Sequence, residues 1–364
     1  MAAQPLSGIK VLDFSTLLPG PLASLMLAEA GADILKVERP GGEDLRNYPP
    51  KWGEQSAPFA FMNRGKQSLE IDLREEGALE KLRPHLEQAD ILIEQFRPGV
   101  MARLGLDYEA VRKINPAIIY CSISSYGQTG PKATQAGHDL NFISEAGVLS
   151  FSTGLDDKPS LPPFLVGDIG GGTMPAVINI LLALRMRDQT GEGTNLDISM
   201  ADNSFTFAAF LHAAGQATGT YPGNGDWLLT GASPRYQLYP AADGRIIACG
   251  ALEQKFWDKF TDIIGLDDDL KQDWKDPETT KAKCAELIKT KPSSEWMEHF
   301  DKADCCVSLV KKFDEALNDP HFIERGLFDY RIEQSNGETI GAAVVPIMPQ
   351  FRDQNSKTKG FPEL

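Results

Sequence analysis

The first 125 residues alternate short apolar runs with helical ones, and this alternation constrains the fold more than any other feature. Residues 8–15, 34–38, 68–73, 91–96 and 117–123 are each rich in Ile, Leu and Val and read as strands. Helices are expected between them, over 22–30 after the Pro19-Gly20-Pro21 turn and over 75–88. Near-continuous apolar strands separated by helices imply a mostly parallel sheet covered on both faces. Ligands of such sheets bind beyond the carboxyl ends of the strands, so the loops after the fourth and fifth strands are where chemistry is sought first.

Further along, 173–187 reads as an apolar helix, 195–200 as a strand and 204–215 as another apolar helix. Residues 218–233, rich in Gly, Thr and Pro, read as a linker. The runs 236–239 and 245–249 flank Asp243-Gly244, a hairpin signal, and 253–264, 279–289 and 294–302 are amphipathic helices. A last hairpin is expected over 329–348, about Asn336-Gly337.

At 364 residues the default is two domains. A net charge of −15 argues against nucleic acid and against an anionic membrane as partners. Five cysteines without a C-x-x-C pair suggest a reducing compartment and no zinc site. Residues 1–8 show no leader pattern, 360–364 carry no peroxisomal address, and no apolar run approaches the ~18 residues of a membrane span. A cytoplasmic enzyme is the expectation.

Two loops draw attention. Tyr126-Gly127-Gln128-Thr129-Gly130-Pro131 leads to Gly137-His138-Asp139, and Val166-Gly167-Asp168 leads to Gly170-Gly171-Gly172. An imidazole and a carboxylate, each opening an apolar helical run, are the parts of a proton-transfer site. His138 reads equally as a helix-capping residue or a base. Asp168 reads as a helix N-terminal carboxylate, as part of a weak phosphate cradle, or as a carboxylate held where glycine lets a backbone approach a ligand. Glu253, after the hairpin strand, reads as an N-terminal helix glutamate. Glu94 lies in a buried strand, where an unpaired carboxylate is costly, and is a candidate to orient an imidazole. Lys36, Arg39, Arg64, Lys66, Arg74, Arg97 and Arg103 lie at or beyond strand ends, either as solvated loop charge or as a site for a polyanionic phosphate.

Asp13-Phe14-Ser15 with Pro19-Gly20-Pro21, residues 31–38, Asn63-Arg64-Gly65-Lys66, Phe96-Arg97-Pro98-Gly99-Val100 and residues 126–131 resemble the family III CoA-transferase superfamily over nearly the whole chain. Gly137-His138-Asp139, Asp168 and Gly250-Ala251-Leu252-Glu253 are similar to its α-methylacyl-CoA racemase branch. The transferase branch shares the Asp, as an acyl-accepting nucleophile, and usually lacks the His. The resemblance implies an α/β fold with a large Rossmann-like parallel-sheet domain and a small α+β domain, in an interlocked homodimer. The expected division is a CoA-binding domain over 1–217, a small domain with linkers over 218–305, and a return to the large domain over 306–364.

The resemblance further implies an isomerase of lipid metabolism that epimerises 2-methyl-branched acyl-CoA. The alternative is a CoA transferase working through an acyl-Asp168 anhydride. His138 and Asp168 would be the two bases, with a backbone N–H near Asp139 facing the enolate, Glu94 holding His138 and Glu253 completing the pocket. CoA would lie near Lys36, Arg39, Leu73, Arg97, Met101, Arg103 and Tyr126. No metal, flavin or nicotinamide is called for; CoA is part of the substrate.

Overall fold

The computed structural model describes residues 4–152 and 160–363; the start of the segment read for a leader and Leu364 lie outside them. Six strands form a parallel sheet: β1 (Lys10–Asp13), β2 (Asp33–Glu38), β3 (Gln67–Glu70), β4 (Ile91–Glu94), β5 (Ile119–Ser124) and β6 (Thr194–Ser199). Their order is β3-β2-β1-β4-β5-β6. This is the doubly wound order, which reverses between β1 and β4 and opens a crevice beyond their carboxyl ends.

Every residue of β4 and β5 is buried, as expected of strands covered on both faces. The helices around the sheet are α1 (Pro19–Glu29), α2 (Ala57–Asn63), α3 (Ala78–Gln88), α4 (Val100–Arg103), α5 (Tyr108–Ile114), α6 (Asp139–Glu145), α7 (Met174–Thr190) and α8 (Met200–Ser204). α1 and α7 pack in one apolar cluster with Ile91, Ile93, Ile119 and Cys121. α3 and α5 pack in a second with Leu12, Leu92 and Tyr120. Pro19 opens α1, where its missing N–H and fixed φ suit the first turn, and the whole helix is buried.

The strands stop earlier than the sequence reading places them, for a local reason. Asp13 accepts a hydrogen bond from the Ser15 N–H (2.9 Å), and Glu94 from the Phe96 N–H (2.8 Å). Each carboxylate turns the chain out of the sheet two residues on. The apolar helix expected over 204–215 is broken into α8, a 3-10 turn (Phe205–Ala208) and α9 (Ala209–Thr218). Ser199 caps α8 early by accepting from the Asp202 N–H, and the aromatic Phe205-Thr206-Phe207 run is a poor continuation of a helix.

The chain forms two compact units. The first comprises Met1–Val148, Pro162–Phe207 and His321–Leu364, the second Leu149–Leu161 and Ala208–Pro320. Of the four divisions, those at 207/208 and 320/321 lie nearest the 217/218 and 305/306 of the sequence reading, and those at 148/149 and 161/162 have no counterpart in it. The second unit has an antiparallel sheet of β7 (Tyr236–Pro240), β8 (Ile246–Gly250) and β9 (Val307–Leu309). It is packed by α10 (Gln254–Ile264), α11 (Pro277–Ile288) and α12 (Ser293–Ala303) around Trp257, Phe260 and Phe300. In the first unit the late hairpin pairs β10 (Arg331–Glu333) with β11 (Thr339–Gly341), and β12 (Thr358–Lys359) adds in parallel.

One expectation is corrected. The continuous helical stretch Val166–Thr190 is 25 residues, with a mean hydropathy of 1.4 over its most apolar window, and is long and apolar enough to cross a membrane. The sequence reading missed it by starting the helix at 173. One face of it packs on the sheet, with Ala176, Val177, Ile180, Ala183 and Leu184 buried in the sheet-covering cluster, while Ile178, Leu181, Leu182 and Met186 are exposed.

Candidate active site

His138 is the N-cap residue of α6, with an extended backbone (φ −125°, ψ 176°), and its N–H donates to Asn141 Oδ1 at 3.0 Å. This bond fixes the entry to the helix and leaves the imidazole exposed. Asp139, the first helical residue, is buried, and its Oδ1 accepts the Asp168 N–H at 2.8 Å. Gly167 permits that approach, since a Cβ there would lie 3.2 Å from Asp139 Oδ1.

Asp168 sits in a π-helical turn (Val166–Thr173) that runs into α7. Such turns recur at functional sites. Burial, first, and the Asp139 carboxylate, second, push the Asp168 carboxyl up to about 6, while His138 pulls in the opposite direction. The three glycines after it are not a phosphate cradle, and the room they leave is taken by the protein itself. A Cβ on Gly170 would meet the Phe207 ring at 2.3 Å, and one on Gly171 would meet Met200 O at 2.3 Å.

His138 and Asp168 line one cavity of about 470 Å³, walled by Leu17, Gln95, Phe96, Ser125 and Phe142. It opens where the β1 and β4 loops leave the sheet. Gly20 N donates to Gln95 Oε1 at 3.0 Å, tying these two loops together. A cleft of about 650 Å³ adjoins it, sharing Thr16 and Phe96, and is lined also by Arg39, Leu73, Arg74 and Arg103. The three guanidinium groups share the lining with four carboxylates, Glu38, Glu43, Asp44 and Asp72; Arg39 pairs with Asp44 and Arg74 with Asp72.

The other expected residues are placed differently. Lys36 is fully buried, donating to Ser15 O at 2.7 Å and pairing with Glu43 at 2.9 Å, so it does not face a ligand. Arg64 and Lys66 are likewise buried, paired with Glu29 and Asp13. Arg97 lines the His138 cavity and, with Met101, a neighbouring hollow of about 260 Å³. Tyr126 packs edge-on against Phe142, 5.7 Å between ring centroids, beneath the His138 loop.

The role expected of Glu94 does not hold: its carboxylate bonds the Phe96 N–H and Ser122 instead of His138. Burial pushes it up to about 7. Glu253 is the N-cap of α10 in the second unit. Sequence reasoning missed the segment Thr16-Leu17-Leu18, which lines the cavities and carries no chemical signal in its residue types.

The sequence model described as CoA-transferase family III matches residues 6–364. The chain is 33% identical over 355 residues to the alpha-methylacyl-CoA racemase of Homo sapiens, covering 95% of this chain and 89% of that one. It is also 33% identical over 338 residues to the acetyl-CoA:oxalate CoA-transferase of Acetobacter aceti, covering 89% and 85%. A crystal structure of a CAIB/BAIF family protein from Brucella suis superposes with a TM-score of 0.82 at 28% identity, covering 95% of this chain and 93% of that one. The chain belongs to CoA-transferase family III.

Proposed function

We propose that this protein is a racemase that epimerises the 2-position of 2-methyl-branched acyl-CoA thioesters. The observation that carries the reading is the pairing of His138 with Asp168 on one cavity. Two relatives that share about a third of its residues, from Homo sapiens and Mus musculus, are named alpha-methylacyl-CoA racemase.

The neutral His138 imidazole takes the α-proton from one face. The C–H electron pair passes into the enolate, placing charge on the thioester oxygen, and protonated Asp168 returns a proton to the opposite face. In the reverse direction the roles exchange. A carboxyl group at about 6 suits both roles near neutrality, since its two protonation states are both populated. The Asp139 N–H, at the first position of α6, has no acceptor within the helix and is the donor for the enolate oxygen. The acidity comes from the thioester, so the reading calls for no metal, flavin or nicotinamide. On this reading the CoA phosphates meet Arg103 first, since Arg39 and Arg74 pair with Asp44 and Asp72 in the same cleft. By resemblance alone the reading includes a homodimer, and a role for Glu253 outside these two proton transfers.

The second reading, a CoA transferase, is favoured by the position of Asp168 and by the relative named for oxalate. Incubation of an (R)-2-methylacyl-CoA in deuterated water separates the two. A racemase incorporates α-deuterium without an acceptor acid, and His138→Ala lowers that rate by about 10²–10⁴-fold. Release of CoA, a mass adduct on Asp168 and transfer to an added carboxylic acid, without exchange, would establish the transferase.

A further inference from the structure

The π-helical turn that carries Asp168 runs without a break into α7, and Pro175 is the second residue of that helix. At the free start of a helix a proline costs little, because its missing N–H has no acceptor to meet. In this chain 8 helical residues precede α7, so the acceptors are present. An N–H at position 175 would reach the Gly171 carbonyl in the α pattern or the Gly170 carbonyl in the π pattern, and a proline supplies neither bond.

A side chain provides a donor in its place. Asn203 of α8 donates from Nδ2 to Gly171 O at 2.9 Å. Gly171 is buried, and its lack of a Cβ lets α8 come this close, since a Cβ would lie 2.3 Å from Met200 O. The turn is therefore held on both sides of Asp168. The Asp168 N–H is taken by Asp139, in the helix that His138 caps, and Gly171 O, three residues on, by Asn203. Thr173 Oγ1 donates to Pro19 O at 2.8 Å and ties the end of the turn to the start of α1.

We propose that Asn203 is a positioning residue for Asp168. By making the hydrogen bond that Pro175 cannot make, it fixes the turn so that the Asp168 carboxyl reaches the α-carbon on the side opposite His138. The proposal rests on the reading of Asp168 as one of the two bases. Asn203 does not line the cavity and acts through the backbone of the turn alone.

The test compares wild type, Asn203→Ala, Pro175→Ala and the double variant, each as the full chain, in deuterated water. The substrate is the 2-methylacyl-CoA epimer whose α-proton faces His138. In Asn203→Ala the His138 side is intact, so the enolate still forms and α-deuterium still enters, but protonation from the opposite face fails. Inversion is expected to fall about 10–100-fold, with exchange and KM each changed by no more than about threefold. In Pro175→Ala the new N–H takes Gly171 O, so adding Asn203→Ala to it costs inversion no more than about threefold. Should Asn203→Ala fail to fold, Asn203→Asp, of similar volume and without the donor, takes its place in both backgrounds.

Inversion at the wild-type rate in Asn203→Ala, or an equal loss in the two backgrounds, would overturn the proposal. A parallel loss of exchange and inversion would assign Asn203 to stability alone and overturn it too. Absence of exchange in the wild type refutes the racemase reading instead. The rate at which acyl-CoA acylates Asp168 is then compared in the same proteins, and the same pattern of loss and rescue upholds the role of Asn203, while its absence overturns it.

Discussion

Asp168 gives the sharpest prediction, because its environment trades stability for function. The folded carboxyl titrates at about 6 against an ordinary 3.8, with burial as the largest cause. Between those values the folded state binds more protons than the unfolded one, so stability falls as pH rises through this window. The interval corresponds to about 3 kcal/mol at 1.36 kcal/mol per pH unit, and partial exposure of the group brings the expected effect to about 1–2 kcal/mol. A carboxamide at this position imitates the protonated acid and escapes the loss. Asp168→Asn is therefore expected to raise the urea-unfolding midpoint at pH 7.5, to raise it much less at pH 4.5, and to abolish racemisation at both. The assay is chemical unfolding of wild type and variant at the two pH values, alongside deuterium exchange. A variant no more stable than wild type at pH 7.5, or one whose advantage is the same at both pH values, would refute the assignment of Asp168 as a carboxyl strained by burial.

Three other outcomes follow from the same geometry. Asp139→Asn keeps an oxygen for the Asp168 N–H but removes the like charge, so the acid limb of the rate profile, in the direction where Asp168 is the base, moves below about pH 6 without reaching 3.8; stopped-flow or exchange rates against pH read it. Arg103→Ala raises KM for acyl-CoA with little change in kcat, because a contact far from the reacting carbon is uniform binding, and the difference from wild type narrows in about 0.5 M salt. Gly171→Ala drives a Cβ to 2.3 Å from Met200 O and lowers stability by about 1–3 kcal/mol, seen as a lower urea midpoint.

The sheet was legible because its evidence is local: apolar runs at helix-spaced intervals imply parallel strands wherever they occur. His138 was legible for a similar reason, since a histidine between a glycine and an aspartate before an apolar run marks a helix entry. Long-range pairing was not legible. Lys36 at the end of a strand looks the same in sequence whether it faces solvent or, as in this fold, Glu43. Arg64 and Lys66 belong to the same class, their acids Glu29 and Asp13 lying 35 and 53 residues away. Glu94 was misread in the opposite sense: a partner was sought at a distance, while the Phe96 N–H two residues on already satisfied it. The glycines at 170–172 show that a glycine run does not declare what it accommodates, and in this chain it is α8 and Phe207.

Lys36 and Lys66, candidates in the sequence for a phosphate site, still bear on function through the loop that they and their acids hold. Asp13 accepts from Ser15, Ser24 and Lys66 at the end of β1. Lys36 donates to Ser15 O one residue before Thr16, and pairs with Glu43, which in turn accepts the Leu17 N–H. Burying four charges is seldom a gain in stability over an apolar core of the same volume. What the burial achieves is positional. Both sides of the loop are fastened by groups that tolerate no other partner, because moving any of them leaves a charge unpaired in the interior. The residues between, Thr16, Leu17 and Leu18, border the His138–Asp168 cavity, and Thr16 also lines the adjoining cleft of Arg103. A proton-transfer site must hold one carbon between two bases to within a few tenths of an ångström. On the proposed reading the charge network meets that demand from the sheet side, by fixing a loop that borders both the His138–Asp168 cavity and the cleft beside it.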